Sequence, residues 1–157
     1  MLGSKTTIGV ISDTHGLLRE EASTVLRGSD LIIHAGDIGK PEVLESLREI
    51  APVVAVRGNN DKGAWTSALR DNEVVEVAGL FLYVLHDLAE LDLDPATADF
   101  KAVIAGHSHR PKVERRAGVV YLNPGSAGPR RFKLPVAVAR LRVVAHEVEA
   151  EIIELSV

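Results

Sequence analysis

The sequence predicts an α/β fold of two β-sheets packed face to face, with helices on the outside. Two observations lead there. The first 60 or so residues alternate short apolar stretches with stretches of helical spacing, the signature of parallel strands joined by right-handed crossovers. The remainder loses the helical spacing and reads as apolar segments turning back on one another. Packing a mostly parallel sheet against a mostly antiparallel one buries both apolar faces.

The elements follow in order. Residues 6–12 (TTIGVIS) form a buried strand. Leu18, Ala22, Val25 and Leu26 share a helical face, with Gly28 placed to cap it. Residues 29–37 (SDLIIHAGD) form a second strand. Pro41 suits a first helical turn, and Val43, Leu44, Leu47 and Ile50 continue at helical spacing. Residues 52–58 (PVVAVRG) form a third strand. Residues 72–86 predict a hairpin turning at Ala78-Gly79, and 101–107 a short apolar strand. A second hairpin is predicted over 111–123, turning at Ala117-Gly118, and 134–155 hold two closing strands. In the last, Val148, Ala150 and Ile152 alternate with Glu147, Glu149 and Glu151, so one face is wet. No repeat or linker interrupts residues 1–157, which are expected to form one domain.

Composition narrows the function. The chain has no cysteine, which excludes disulfides, thiolate metal sites and cysteine nucleophiles. A net charge of −4 disfavours a nucleic-acid polymer as partner. No apolar run reaches the roughly 18–20 residues of a membrane span, and the first residues lack the apolar core of a secretory signal. A cytoplasmic location is expected.

The informative residues sit where apolar stretches end. Asp13-Thr14-His15, Asp37, Asn59-Asn60-Asp61, His86-Asp87 and His107-Ser108-His109 each follow a predicted strand. Ligands of open α/β sheets bind at the carboxyl ends of strands. Each motif alone reads first as a turn or a solvated loop; their ordered recurrence points to one site. Asp, His and Asn without sulfur suit Mn²⁺, Fe, Co²⁺, Ni²⁺ or Zn²⁺. In both D-x-H and H-x-H, an extended chain would turn the outer residues to one face.

These residues resemble the calcineurin-like metallophosphoesterase superfamily, in particular its small single-domain bacterial and archaeal phosphodiesterases. The family order is D-x-H, G-D, G-N-H/C-D/E, H and G-H-x-H. Here it stands as Asp13–His15, Gly36-Asp37, Gly58–Asp61, His86 and Gly106–His109. The late "NPGSAGPRR" loop is also similar. The resemblance implies a four-layer αββα sandwich of two mixed sheets flanked by helices. It implies two divalent ions, Mn²⁺ first, and a hydroxide shared between them that attacks phosphorus. Asp13, His15 and His109 would hold one ion, and Asn59, His86 and His107 the other, with Asp37 bridging. Asp61 would support its loop. The implied activity is hydrolysis of a small phosphoester, first of all a phosphodiester, by a chain that could form homo-oligomers. The same branch includes a retromer subunit that works as a protein scaffold, and a scaffold is the alternative reading.

This chain departs from the pattern at two positions. Asn60 fills the slot where relatives carry a proton-donating histidine or a cysteine, and Asp87 replaces a usual glycine. A neutral amide can hydrogen-bond phosphate but cannot supply a proton near neutral pH. Arg130 is a candidate phosphate contact, against a solvated loop end. Arg57 is either a phosphate contact or an ion-pair partner. Trp65 either lines the site or covers core. His34, inside a predicted strand, reads as a core or supporting histidine, and His146 as exposed.

Overall fold

The computed structural model describes residues 5–157. Strand β1 (Lys5–Ile11) leads to helix α1 (Glu20–Leu26), β2 (Leu31–His34), helix α2 (Pro41–Arg48) and β3 (Val53–Ala55). Then come β4 (Asn72–Val77), β5 (Leu80–Leu85), β6 (Phe100–Ile104), β7 (Lys112–Arg116), β8 (Val119–Asn123), β9 (Ala137–Val144) and β10 (Glu147–Glu154). They form two five-stranded sheets, ordered β10-β9-β1-β2-β3 and β4-β5-β6-β8-β7.

The first sheet is as expected, with β1, β2 and β3 parallel and β9 and β10 added antiparallel. Pro41 does open α2. Helix α1 begins later than the apolar spacing suggested, at Glu20, and leaves Leu18 in the preceding loop, still packed on the same core.

The second sheet corrects one expectation. It is mixed rather than mostly antiparallel, because β5, β6 and β8 run parallel. Two hairpins, β4–β5 and β7–β8, supply the antiparallel pairs. Both turn through two residues at positive φ, Ala78-Gly79 (51° and 82°) and Ala117-Gly118 (50° and 79°), which matches the right-handed twist of the paired strands. The parallel step from β5 to β6 was hidden because its crossover carries no helical spacing. It runs through a 3₁₀ turn (Leu88–Glu90) and irregular chain.

Three apolar clusters hold the layers. Between the sheets, Ile8, Val10, Ile33 and Leu141 meet Leu82, Val84, Ile104 and Leu122. Outside the first sheet, Ala22, Leu26, Val43, Leu44 and Leu47 of the helices cover Ile11, Ile32 and Val138. Outside the second, Tyr83, Leu85, Val103 and Ala105 lie under Leu91 and Leu93 of the crossover. That outer layer is a loop with one 3₁₀ turn, thinner than the helical layer opposite. Each fully buried aliphatic side chain contributes about 1.5–3 kcal/mol, and the intersheet cluster holds the most buried apolar residues of the three. It also locks the two sheets so that their carboxyl edges open on one side.

Candidate metal centre

The loops leaving β1, β2, β3, β5 and β6 meet at that edge. Their backbone is unusual. Asp13, His15, Asp37, His107 and His109 all have positive φ, between 47° and 72°. Non-glycine residues adopt this region at a cost, and such conformations gather at functional sites. This corrects the extended-chain account of D-x-H and H-x-H. The outer residues of each motif converge because each sits in a left-handed turn.

Asp13, Asp37, His86 and His109 are buried. One donor atom each from Asp13, His15 and His109 lies within 4.8 Å of the others, and the same holds for Asp13, Asp37 and His86. Asp13 Oδ1 lies 3.3 Å from His109 Nε2, 3.8 Å from His15 Nε2 and 3.9 Å from His86 Nε2. Asp37 Oδ2 lies 3.3 Å from His86 Nε2 and 3.8 Å from His15 Nε2. Both carboxylates thus stand between the imidazoles. Donors about 2.0–2.2 Å from one ion lie at most about 4.4 Å apart, which these spacings satisfy.

The remaining donors are less enclosed. Asn59 and His107 are exposed and, with His86, line a cavity of about 410 Å³. The His107 ring stands edge-on to His86 at 5.2 Å between centroids.

Three of the four buried donors, Asp13, Asp37 and His86, are held from behind, whereas His109 Nδ1 has no partner among the described residues. The Ser12 hydroxyl donates to Asp13 Oδ2 at 2.6 Å, and the His107 backbone N–H donates to the same atom at 3.1 Å. Asp13 Oδ1 is left free to face the site. His86 Nδ1 donates to the Ala35 carbonyl at 2.7 Å, which turns Nε2 inward. This is the usual way a protein fixes the tautomer of a ligating histidine. Asn60 donates its backbone N–H to Asp37 Oδ1 and its amide to Oδ2. Asp61 accepts from Gly58 N and Gly39 N, joining two loops. A Cβ on Gly58 would overlap the Asp37 carboxylate, so glycine is required there.

Asp13 Oδ1 and His86 Nε2 are buried with no hydrogen-bond partner among the described residues. Stranding such atoms costs about 1–3 kcal/mol each, and a cation satisfies both. Electrostatics agree. Burial opposes ionisation of Asp37, but the His86 imidazole 3.3 Å away and the Asn60 N–H outweigh it and hold the carboxyl well below the usual range. Asp13 is lowered likewise, with His109 and Ser12 overcoming burial. Burial disfavours charge on His86, yet Asp37, the Ala35 carbonyl and Asp13 raise it to about 8.

Several supporting residues carried no strong sequence signal. Buried His34 accepts from Gly36 N–H at Nδ1 (3.1 Å), so its Nε2–H points at Thr14 Oγ1 (3.0 Å), which in turn donates to the Ile38 carbonyl. That relay ties the loop of Asp13 to the loop of Asp37. Asn123 donates to the Gly106 carbonyl and Ser108 Oγ, and Ser126 donates to the Asp13 carbonyl. The "NPGS" run was the available hint for these two. Arg57 pairs with Asp71 at 3.0 Å. Trp65 packs against the helical core cluster. Exposed Arg130 lies outside the residues lining the two cavities that border His107. His146 is exposed in the β9–β10 turn.

Residues 7–146 match the model of the calcineurin-like phosphoesterase superfamily domain. The chain belongs to that superfamily. A curated relative, a probable metallophosphoesterase of Methanothermobacter thermautotrophicus, is 32% identical over 158 residues, covering 93% of this chain and 91% of the relative. Two solved structures share the metallophosphoesterase fold. A novel archaeal phosphodiesterase gives a TM-score of 0.79 at 23% identity, covering 96% of this chain and all of the other. Vacuolar protein sorting 29 from Cryptosporidium parvum gives 0.78 at 17% identity, covering 98% and 99%. The superfamily and the donor set together indicate a metal-binding phosphoesterase domain.

Proposed function

We propose that the chain is a phosphodiesterase that works with two divalent cations, Mn²⁺ first among Mn²⁺, Ni²⁺, Co²⁺, Fe and Zn²⁺. The reading rests on Asp13 and Asp37 standing among three histidines with Asp13 Oδ1 and His86 Nε2 unpaired. Asp13, His15 and His109 hold one ion in this reading. Asn59, His86 and His107 hold the other, with Asp37 shared. Two such cations lower the pKa of water and neutralise charge on a phosphoryl group. The protein's own contribution is preorganisation. Ser12 and the His107 N–H fix Asp13, Ala35 fixes the His86 tautomer, and Asn60 fixes Asp37. The cavity beside Asn59 and His107 admits a small ester. The archaeal phosphodiesterase with the same fold supports a diester over a monoester. A single domain acting in the cytoplasm, with or without self-association, fits this reading.

The fold likeness to vacuolar protein sorting 29 keeps a scaffold role as the second reading. The complete donor set weighs against it. The deciding experiment is hydrolysis of bis(p-nitrophenyl) phosphate by Mn²⁺-loaded protein. Wild type turns over and Asp37→Asn does not. Full activity in Asp37→Asn, or none with any of the five metals, would overturn the enzyme reading.

A further inference from the structure

Asp87 has no part in the ligand set just described, yet it faces that set. Its Oδ1 accepts the Ala89 N–H at 3.0 Å and so caps the 3₁₀ turn Leu88–Glu90. Capping fixes the carboxylate and leaves Oδ2 pointing back toward the site. Oδ2 lies 3.8 Å from His107 Nε2. No other carboxylate lies within ion-pair distance of His107 among the described residues. Asp87 lines the same cavity as Asn59, His86 and His107.

The distance allows two roles, a loose ion pair or a shared cation. At 3.8 Å the contact is too long for a hydrogen bond, since donor and acceptor sit about 2.7–3.2 Å apart in one. It fits two donors that each lie about 2.0–2.2 Å from a common ion. Charge favours the cation. Apart from the shared Asp37, the ion on this side would meet only the neutral donors Asn59, His86 and His107. One more carboxylate would balance it, as the ion on the other side is balanced by Asp13.

We infer that Asp87 is a carboxylate ligand of the ion held by Asn59, His86 and His107. The inference rests on the two-ion reading above. An added oxygen donor shifts that position toward oxygen-preferring divalent cations such as Mn²⁺.

The test is calorimetric titration of metal-free protein with Mn²⁺. Asp87→Asn is the informative variant, because asparagine caps as well as aspartate does and removes only the anionic oxygen. Wild type should show two binding events. Asp87→Asn should leave one unchanged and weaken the other by at least about tenfold, in line with the sensitivity of metal sites to their carboxylates. The Co²⁺-substituted variant should also change its visible absorption as one oxygen donor is lost. Repeating the substitution in a His107→Ala background separates a ligand from a residue that merely orients His107. A ligand still weakens binding there, whereas an orienting residue adds nothing. Unchanged affinities in Asp87→Asn, or no further loss in the His107→Ala background, would overturn the inference. Wild type binding fewer than two ions would overturn the two-ion reading itself, and the inference with it.

Discussion

Asn60 grips Asp37 with two hydrogen bonds, backbone N–H to Oδ1 at 2.9 Å and side-chain amide to Oδ2 at 3.0 Å. The slot where the family pattern leads one to expect a proton donor is here tied to the Asp37 carboxylate. Asn60→Ala removes the amide bond and keeps the backbone one. Mn²⁺ affinity should fall about 10–100-fold, as expected when a partner behind a ligand is lost. Calorimetric titration of metal-free protein checks it. An unchanged affinity would mean that the amide bond does not hold Asp37 in place.

Asn60 cannot protonate a leaving oxygen. Asn60→His places a titratable ring there. General acid catalysis is worth about 10²–10⁴-fold, and a poor leaving group needs it most. Turnover of alkyl phosphodiesters should therefore rise more than turnover of nitrophenyl esters. Equal changes on both would remove the proton-supply argument.

His86 makes metal binding depend on pH. Its pKa is raised from 6.5 to about 8 in the metal-free protein, so a cation must displace its proton below that pH. Apparent Mn²⁺ affinity should climb from pH 6.5 and flatten above about 8, with proton release visible as a buffer-dependent binding heat. Stability follows from the same shift. A raised folded pKa contributes stability that is fully present below 6.5 and is lost as pH rises through about 8. The contribution is about 2 kcal/mol. Urea unfolding of metal-free wild type and His86→Asn across pH 6–9 should show the slope only in wild type.

His34 acts in the opposite direction. Burial lowers its pKa from 6.5 to about 4, so the folded state prefers the neutral ring that relays Gly36 to Thr14. A depressed folded pKa in a base means that stability is full above 6.5 and falls as pH drops toward 4. The loss approaches about 3 kcal/mol. In His34→Gln the acid limb of metal-free unfolding between pH 6.5 and 4.5 should be shallower than in wild type.

Leu82 is fully buried between the sheets. Leu82→Ala should cost about 2–5 kcal/mol, read from the urea midpoint at constant slope. A loss below 1 kcal/mol would mean that the intersheet layer repacks freely.

Much of the first sheet was legible along the chain. The apolar stretches around Val10, Ile33 and Val54 are short and bounded, and the spacing of Val43, Leu44 and Leu47 shows one buried helical face. The parallel course of β5, β6 and β8 was not legible, because an irregular crossover leaves no periodic trace. The same limit applied at the site. Asp13, His15, Asp37, His107 and His109 stand out by type and by position after strands. Their positive φ values do not, since those conformations are imposed by neighbouring loops.

The sequence alone determined which donors this protein can offer: aspartate, histidine and asparagine, no sulfur, each following an apolar stretch. Residue type sets donor chemistry, and local spacing sets strand ends. Only the tertiary structure decided what each donor faces. Asn59 points into the cavity beside His86 and His107, while its neighbour Asn60 is turned back onto Asp37. Asp87, a lone carboxylate in the sequence, lies 3.8 Å from His107. Residues 86 and 107 are brought together by two strands of one sheet, and Asp13 by a strand of the other. Apolar packing between the sheets sets those distances, and it acts between residues far apart in the chain.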